Sequence, residues 1–168
     1  MEKINLMNPY DEKQRSRIIQ YEQETSIGPL ISSRIDQIAS SYTEEELQNY
    51  KKKSNNIEEY IVLEESNKIK GICQIQGEKD RRTCQISIIG NKEQSKEKKI
   101  LVLATEYAIN NMGMLEVFLM VDRKDKDIEK YLIIKGFENL GEENGKTLFL
   151  KEKNEDKRNK ESYYETTR

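Results

Sequence analysis

The chain has 168 residues, a length that fits a single domain with a sizeable buried core. Apolar residues make up 35% and charged residues 36% of a chain whose net charge is −2, so no overall positive field favours nucleic acid or an anionic membrane. Histidine is absent and Cys73 and Cys84 are the only cysteines, which excludes the usual zinc sites and histidine-dependent nucleophiles, and we expect no metal. Neither a membrane span nor an apolar signal core is visible, so we expect a cytoplasmic protein.

The first part of the chain predicts one strand followed by three helices. Asn8 is the candidate cap of the first helix, and Gly28-Pro29 separates the first helix from the second. Thr43 and Glu46 form a capping box that begins the third helix, because each side chain can satisfy a free amide of the other. The expected elements are a strand over 4–7 and helices over 11–23, 30–39 and 44–52.

The middle of the chain predicts an antiparallel meander. If its second turn centres on Glu78 and Lys79, Cys73 lies opposite Cys84 and the apolar faces of both strands coincide. The two cysteines are then expected to pack in the core, and a redox pair or thiol nucleophile is the alternative. The expected strands cover 60–63, 69–76 and 84–88.

The second half of the chain predicts a long helix that ends near Gly113, followed by a central strand over 115–121. That strand is apolar on both alternating faces, so we expect both faces to be covered. Asp125 or Asp127 caps the next helix, which Gly136 stops. A closing hairpin is expected from strands over 137–140 and 147–150, joined at Asn144-Gly145.

The C-terminal segment 152–168 is charged and almost free of aliphatic residues. Such a composition cannot offset the entropy lost on ordering, so we predict a domain over 1–151 and a disordered tail over 152–168. The alternative is a docking segment that uses Tyr163 and Tyr164.

The order of these elements resembles the GNAT acyl-CoA N-acyltransferase fold across residues 1–151. Leu101, Leu103 and Ala108 fall where the "LL…A" helix of that family does, and residues 131–137 look like its "LYxKxGF" segment. The resemblance implies an α/β (α+β) fold with a mixed, mostly antiparallel sheet flanked by helices. It also implies acetyl-CoA or another acyl-CoA as cofactor and a small-molecule or protein amine as acceptor.

The family grips the pyrophosphate of coenzyme A with a Q/RxxGxG/A loop, whose glycines let backbone amides close on the anion. The matching stretch runs from Gln94 to Lys99, with Glu97 and Lys99 in place of the two small residues. Lysines here could hold phosphate as point charges, and a solvated helix start is the alternative. The resemblance implies a cofactor site made of Ile88, Ile89, Gly90, Gln94, Ser95, Lys96, Glu97, Lys98, Lys99 and Asp125.

Catalytic groups are less clearly marked. Leu132 stands where many members place the Tyr that protonates the departing thiolate, and the adjacent Tyr131 is the candidate general acid. One residue along a helix is a rotation of about 100°, so Tyr131 reaches that thiolate only if the helix shifts, and simple ring packing is the alternative. A general base or amine ligand, as opposed to an ordinary surface acid, could come from Glu64, Glu65 or Glu93.

Two functions follow from the resemblance. One is an acyl-CoA-dependent N-acyltransferase, in which the pantetheine arm enters between the fourth and fifth strands. The other is a non-catalytic module, a pseudoenzyme with the GNAT fold that binds another ligand or protein. Nucleic acid is not an expected partner, because the chain shows no basic patch interleaved with aromatic residues.

Overall fold

A computed structural model describes residues 2–90, 94–122 and 124–153 of the chain, with the backbone alone for Gln94 and Ser95. The strands are β1 (Glu2–Leu6), β2 (Asn56–Glu65), β3 (Lys68–Glu78), β4 (Thr83–Ile89), β5 (Glu116–Asp122), β6 (Glu138–Glu143) and β7 (Lys146–Glu152). The helices are α1 (Glu12–Thr25), α2 (Leu30–Ser41), α3 (Glu44–Lys53), α4 (Gln94–Asn110) and α5 (Lys126–Ile134).

The strands form one sheet in the order β1-β2-β3-β4-β5-β7-β6. All neighbours pair antiparallel except β4 and β5, which run parallel. Ile61 and Val62 are adjacent on β2 and belong to separate core clusters, one beneath α4 and α5 and the other beneath α1 and α2. Because successive strand residues point to opposite faces, the helices cover both faces of the sheet. The predicted α/β class with a mostly antiparallel sheet is confirmed.

Two predicted helix starts had different outcomes. The Thr43 capping box is present as expected. At α1, however, the Asp11 side chain accepts the hydrogen bond from the Gln14 amide at 3.1 Å, so Asp11 and not Asn8 is the cap. Asn8 Oδ1 instead accepts from the Tyr10 amide at 3.0 Å and forms a turn ahead of the helix.

The expected register between β3 and β4 is wrong. Cys84 lies opposite Gly77, and Cys73 lies opposite Ile88, because both strands extend further and the turn lies later in the chain. A Cβ atom on Gly77 would come within 2.7 Å of the Cys84 Cβ, so the two strands approach too closely here for a residue larger than glycine. The shift is by an even number of residues, which explains why the apolar faces still coincide.

The prediction that both faces of β5 are covered is correct only in part. Val117 and Leu119 are fully buried, whereas Met120 retains 38% of its accessible surface. The pairing of β5 with β4 ends at Leu119, so Met120 lies past the point where the two strands are joined.

At the C-terminus, β7 runs to Glu152 and the Lys153 amide donates to the Leu115 carbonyl at 3.0 Å. The first residue of the predicted tail is therefore part of the sheet. Residues 154–168, with Tyr163 and Tyr164, lie outside the described residues. None of the helices that the structure describes combines the length and apolar character needed to span a bilayer.

Candidate active site

The parallel strands β4 and β5 separate at one end of the sheet. Their pairing joins Thr83–Ile86 to Glu116–Leu119, and both strands continue past it, to Ile89 and to Asp122. Past this stretch the two strands no longer hydrogen-bond to each other, and their backbones border an opening in the middle of the sheet. This opening matches the place where the resemblance puts the pantetheine arm.

A cavity of about 750 Å³ lies at this opening, and we refer to it as the β4–β5 cavity. Its size falls within the range of small-molecule sites. Of the ten residues predicted for the cofactor site, the structure brings Ile88, Gly90, Glu97 and Asp125 to its wall. The lining residues are Gln85, Ser87, Ile88, Gly90, Glu97, Met120, Val121, Asp122, Lys124, Asp125 and Lys146.

Helix α4 begins at Gln94, so its first turn adjoins the β4–β5 cavity. The free amides of a first turn and the helix dipole favour an anion at this position. Gly90, the residue after β4, has φ +73°, and a Cβ there would lie 3.0 Å from the Tyr21 hydroxyl oxygen. That hydroxyl donates to the Ile89 carbonyl at 2.7 Å, which ties the end of β4 to α1. Ile89 therefore positions the rim of the cavity through its backbone.

Glu97 carries the unusual electrostatics of the site. Its Oε2 atom is buried and makes no hydrogen bond within the described part of the chain. Burial raises the pKa of the Glu97 carboxyl, and the nearby Asp125 carboxylate raises it further. The protonated form of Glu97 is therefore favoured compared with an ordinary surface glutamate, and a protonated carboxyl can donate a hydrogen bond to an anion.

The lysines of the same turn are held on another side of the helix. Lys96 Nζ lies 2.6 Å from Glu2 Oε1 and 3.0 Å from Glu65 Oε2, and Lys99 Nζ lies 2.5 Å from Glu2 Oε2. Hydrogen bonds from Lys96 and then Lys99 lower the pKa of Glu2 to about 2. We refer to Glu2, Glu65, Lys96 and Lys99 as the β1–β2 ion cluster. Neither lysine is among the residues that line the β4–β5 cavity.

The sequence analysis did not identify the two lysines that line the cavity, Lys124 and Lys146. Lys146 lies opposite Asp122 across β5 and β7, and Lys124 follows the end of β5. The signal available in the sequence was the position of Lys124 shortly after the end of the predicted central strand. Nothing in the sequence marked Lys146, because it reaches the site through the closing hairpin.

Tyr131 is not brought to this cavity. It lies on α5 with Lys135 Nζ 5.5 Å from the centre of its ring, a cation–π contact. Leu132 is completely buried in the core beneath α4 and α5. The assignment of Tyr131 as general acid stays a prediction.

The other candidates that the structure describes lie apart from the cavity. Glu64 is 4% exposed and pairs with Arg17 at 3.4 Å, Glu65 belongs to the β1–β2 ion cluster, and Glu93 lies outside the described residues. Both cysteines are free and buried, and desolvation raises the pKa of the Cys84 thiol to about 12. Buried, protonated thiols are poor nucleophiles.

Comparison with known proteins supports the architecture. No family model matches the chain, and a search of curated proteins finds no match. Solved structures do match. The ribosomal-protein-S5-alanine acetyltransferase of Vibrio fischeri aligns with a TM-score of 0.66 at 12% identity, over 91% of this chain and 93% of that one.

Two other solved structures match over similar lengths. The N-acetyltransferase PseH of Campylobacter jejuni, in complex with acetyl coenzyme A, aligns with a TM-score of 0.58 at 12% identity, over 90% of this chain and 99% of that one. A GNAT-family acetyltransferase of Streptococcus pneumoniae aligns with a TM-score of 0.57 at 17% identity, over 91% and 100%. The strand order, the parting of β4 from β5 and these similarities show that this chain has the GNAT acetyltransferase fold.

Proposed function

We propose that the protein is an acyl-CoA-dependent N-acyltransferase that takes its cofactor in the β4–β5 cavity. The observation that carries the proposal is the parting of β4 and β5 beside the first turn of α4, which places a cavity of about 750 Å³ next to that turn. Acyl-CoA would supply a thioester whose carbonyl carbon an amine attacks. Solved neighbours with this fold include N-acetyltransferases, one of them in complex with acetyl coenzyme A.

The residues of the cavity fit the diphosphate of this cofactor in one protonation state. With Glu97 ionised, a carboxylate faces the anion, and like charges about 4 Å apart cost about 4 kcal/mol at an effective dielectric of about 20. With Glu97 protonated, the same side chain can donate a hydrogen bond. The α4 amides with Lys124 and Lys146 then supply positive potential against the carboxylates of Asp122 and Asp125. We infer that binding of acyl-CoA is coupled to uptake of a proton by Glu97.

The acceptor would be a small-molecule or protein amine that enters the same opening. Asp122 and Asp125 line the cavity and can attract the ammonium form, which must lose a proton before it attacks. Tyr131 remains the candidate general acid for the leaving thiolate. The protein would act in the cytoplasm.

Calorimetric titration of the full chain with acetyl-CoA, at about pH 5.5 and about pH 8, tests the binding step. We expect measurable heat at both values and tighter binding at the lower one. Release of free coenzyme A in the presence of an amine panel tests transfer, and Tyr131→Phe should lower kcat about a hundredfold with little change in KM if the hydroxyl protonates the thiolate.

A second candidate, the non-catalytic module, is favoured by one observation. Lys96 and Lys99, the lysines best placed in sequence to hold phosphate, are neutralised by Glu2 and Glu65. The absence of any heat with acetyl-CoA across the pH range, both in the native chain and in Glu97→Gln, would reject the transferase and leave this candidate.

A further inference from the structure

A second cavity, of about 660 Å³, lies at the end of the sheet remote from the β4–β5 cavity. Strand β2 begins there with Asn56, and β3 ends there near Lys79. The β4–β5 cavity lies at the opposite end of the sheet, where β4 ends. Helices α2 and α3 form its outer wall. We call it the α2–α3 cavity. Among the described residues, the two cavities have no lining residue in common.

Aromatic rings stand at the mouth of the α2–α3 cavity. Tyr42 and Tyr50 have ring centres 5.8 Å apart, inclined by 32°, and remain 37% and 54% exposed. Leu47 and Ile57 lie behind them, each 8% exposed. Two large exposed rings in a cavity that buried apolar side chains also line form a surface on which a flat ring can stack.

The charges of the α2–α3 cavity are predominantly positive. Its acidic side chains are both paired within the wall, Glu58 with Arg34 at 3.3 Å and Glu59 with Lys51 at 2.9 Å. Lys52 and Lys79 are not matched by an acid in the described lining, and Lys79 Nζ donates to the Lys51 backbone carbonyl. Two cationic side chains in excess beside the two tyrosine rings favour an anion.

We propose that the α2–α3 cavity is a second ligand site, which binds a flat aromatic molecule carrying a carboxylate. The ring would stack on Tyr50 and Tyr42, and the carboxylate would meet Lys52 and Lys79. The site is separate from the β4–β5 cavity, so the proposal is independent of whether the protein transfers acyl groups.

The test uses 1-naphthoate as the probe and two-dimensional NMR of the full-length, isotope-labelled protein as the measurement. We expect saturable shifts at the amides of Tyr42, Tyr50 and Asn56, with the amides around Ser87 and Glu97 unchanged. The neutral analogue 1-naphthalenemethanol should bind at least about tenfold more weakly, because it lacks the charge that the lysines select.

Variants separate the two parts of the site. Lys52→Glu with Lys79→Glu should weaken binding of 1-naphthoate about tenfold or more, as should Tyr50→Ala, which removes an exposed ring and spares the core. Lys124→Glu, in the β4–β5 cavity, is the matched control and should bind the probe normally. Shifts that do not saturate, shifts confined to the β4–β5 cavity, or equal affinity for the neutral analogue would each overturn the proposal.

Discussion

The charged side chains on two sides of the first turns of α4 differ in whether they have partners within the protein. On the side facing the β1–β2 ion cluster, Lys96 and Lys99 are matched by carboxylates within 3.0 Å. On the side facing the β4–β5 cavity, the buried Oε2 atom of Glu97 has no hydrogen-bond partner in the described part of the chain. Consecutive residues of a helix are rotated by about 100° about its axis. Lys96 and Lys99 therefore reach the β1–β2 ion cluster, whereas Glu97 reaches the β4–β5 cavity.

This difference distinguishes lysines that pair with carboxylates within the protein from a glutamate that lies at a cavity wall. Matched ion pairs near a surface fix the position of a helix end but leave little charge for a ligand. A buried carboxylate oxygen without a hydrogen-bond partner is costly in the free protein, and such groups are common where a ligand or proton is taken up. Lys96 and Lys99 are therefore paired within the protein, whereas the adjacent Glu97 faces the cavity.

The largest expected effect tests whether packing or ion pairing holds α4 in place. Ile100 is completely buried and its Cδ1 lies 3.3 Å from the position of a Cβ on Gly71, so the helix sits directly on the sheet there. Ile100→Ala should lower the free energy of unfolding by about 3 kcal/mol in urea denaturation. A loss below about 1 kcal/mol would contradict the view that burial dominates.

The next effect concerns the unmatched side. Glu97→Gln removes the negative charge with little change in shape and should raise the affinity for acetyl-CoA about tenfold at about pH 8. Because the pKa of Glu97 is raised, native affinity should fall as pH rises through that pKa, and the variant should lose this dependence. Titration calorimetry measures both quantities.

Glu106→Gln is the matched control for that experiment, since Glu106 is an exposed residue of the same helix that does not line the β4–β5 cavity. Its affinity should equal that of the native protein. Equal pH profiles for the native chain and Glu97→Gln would remove Glu97 from the binding model.

The smallest effect is expected on the matched side. Lys96→Met should lower Tm by about 2 °C at low salt and by less at high salt, since ion pairs near a surface contribute little and are screened. The pKa of Glu2 is lowered from 4.5 to about 2, so the stabilisation is complete above 4.5 and is lost as pH falls towards 2. Lys98→Met is the control, and a Tm difference that persists at pH 2 would contradict this account.

Much of the fold was predictable because it is set by short-range patterns. The Thr43 capping box and the Asn144-Gly145 turn both occur as predicted, and the turn residues have φ of 51° and 77°. The register of Cys73 was not predictable, since any shift by two or four residues preserves the same alternation of apolar side chains. The close approach of β3 and β4 at Gly77 favours one register, and this contact is seen only in the three-dimensional structure.

The sequence by itself determined the succession of elements, the GNAT-type segment that ends at Phe137 and the replacement of small loop residues by Glu97 and Lys99. Local periodicity and turn chemistry carry that information along the chain. Only the tertiary structure decided which charges face a ligand, because the partners of Lys96 lie 94 and 31 residues away, on β1 and β2. Electrostatic roles depend on distances through space, which the order of residues does not contain.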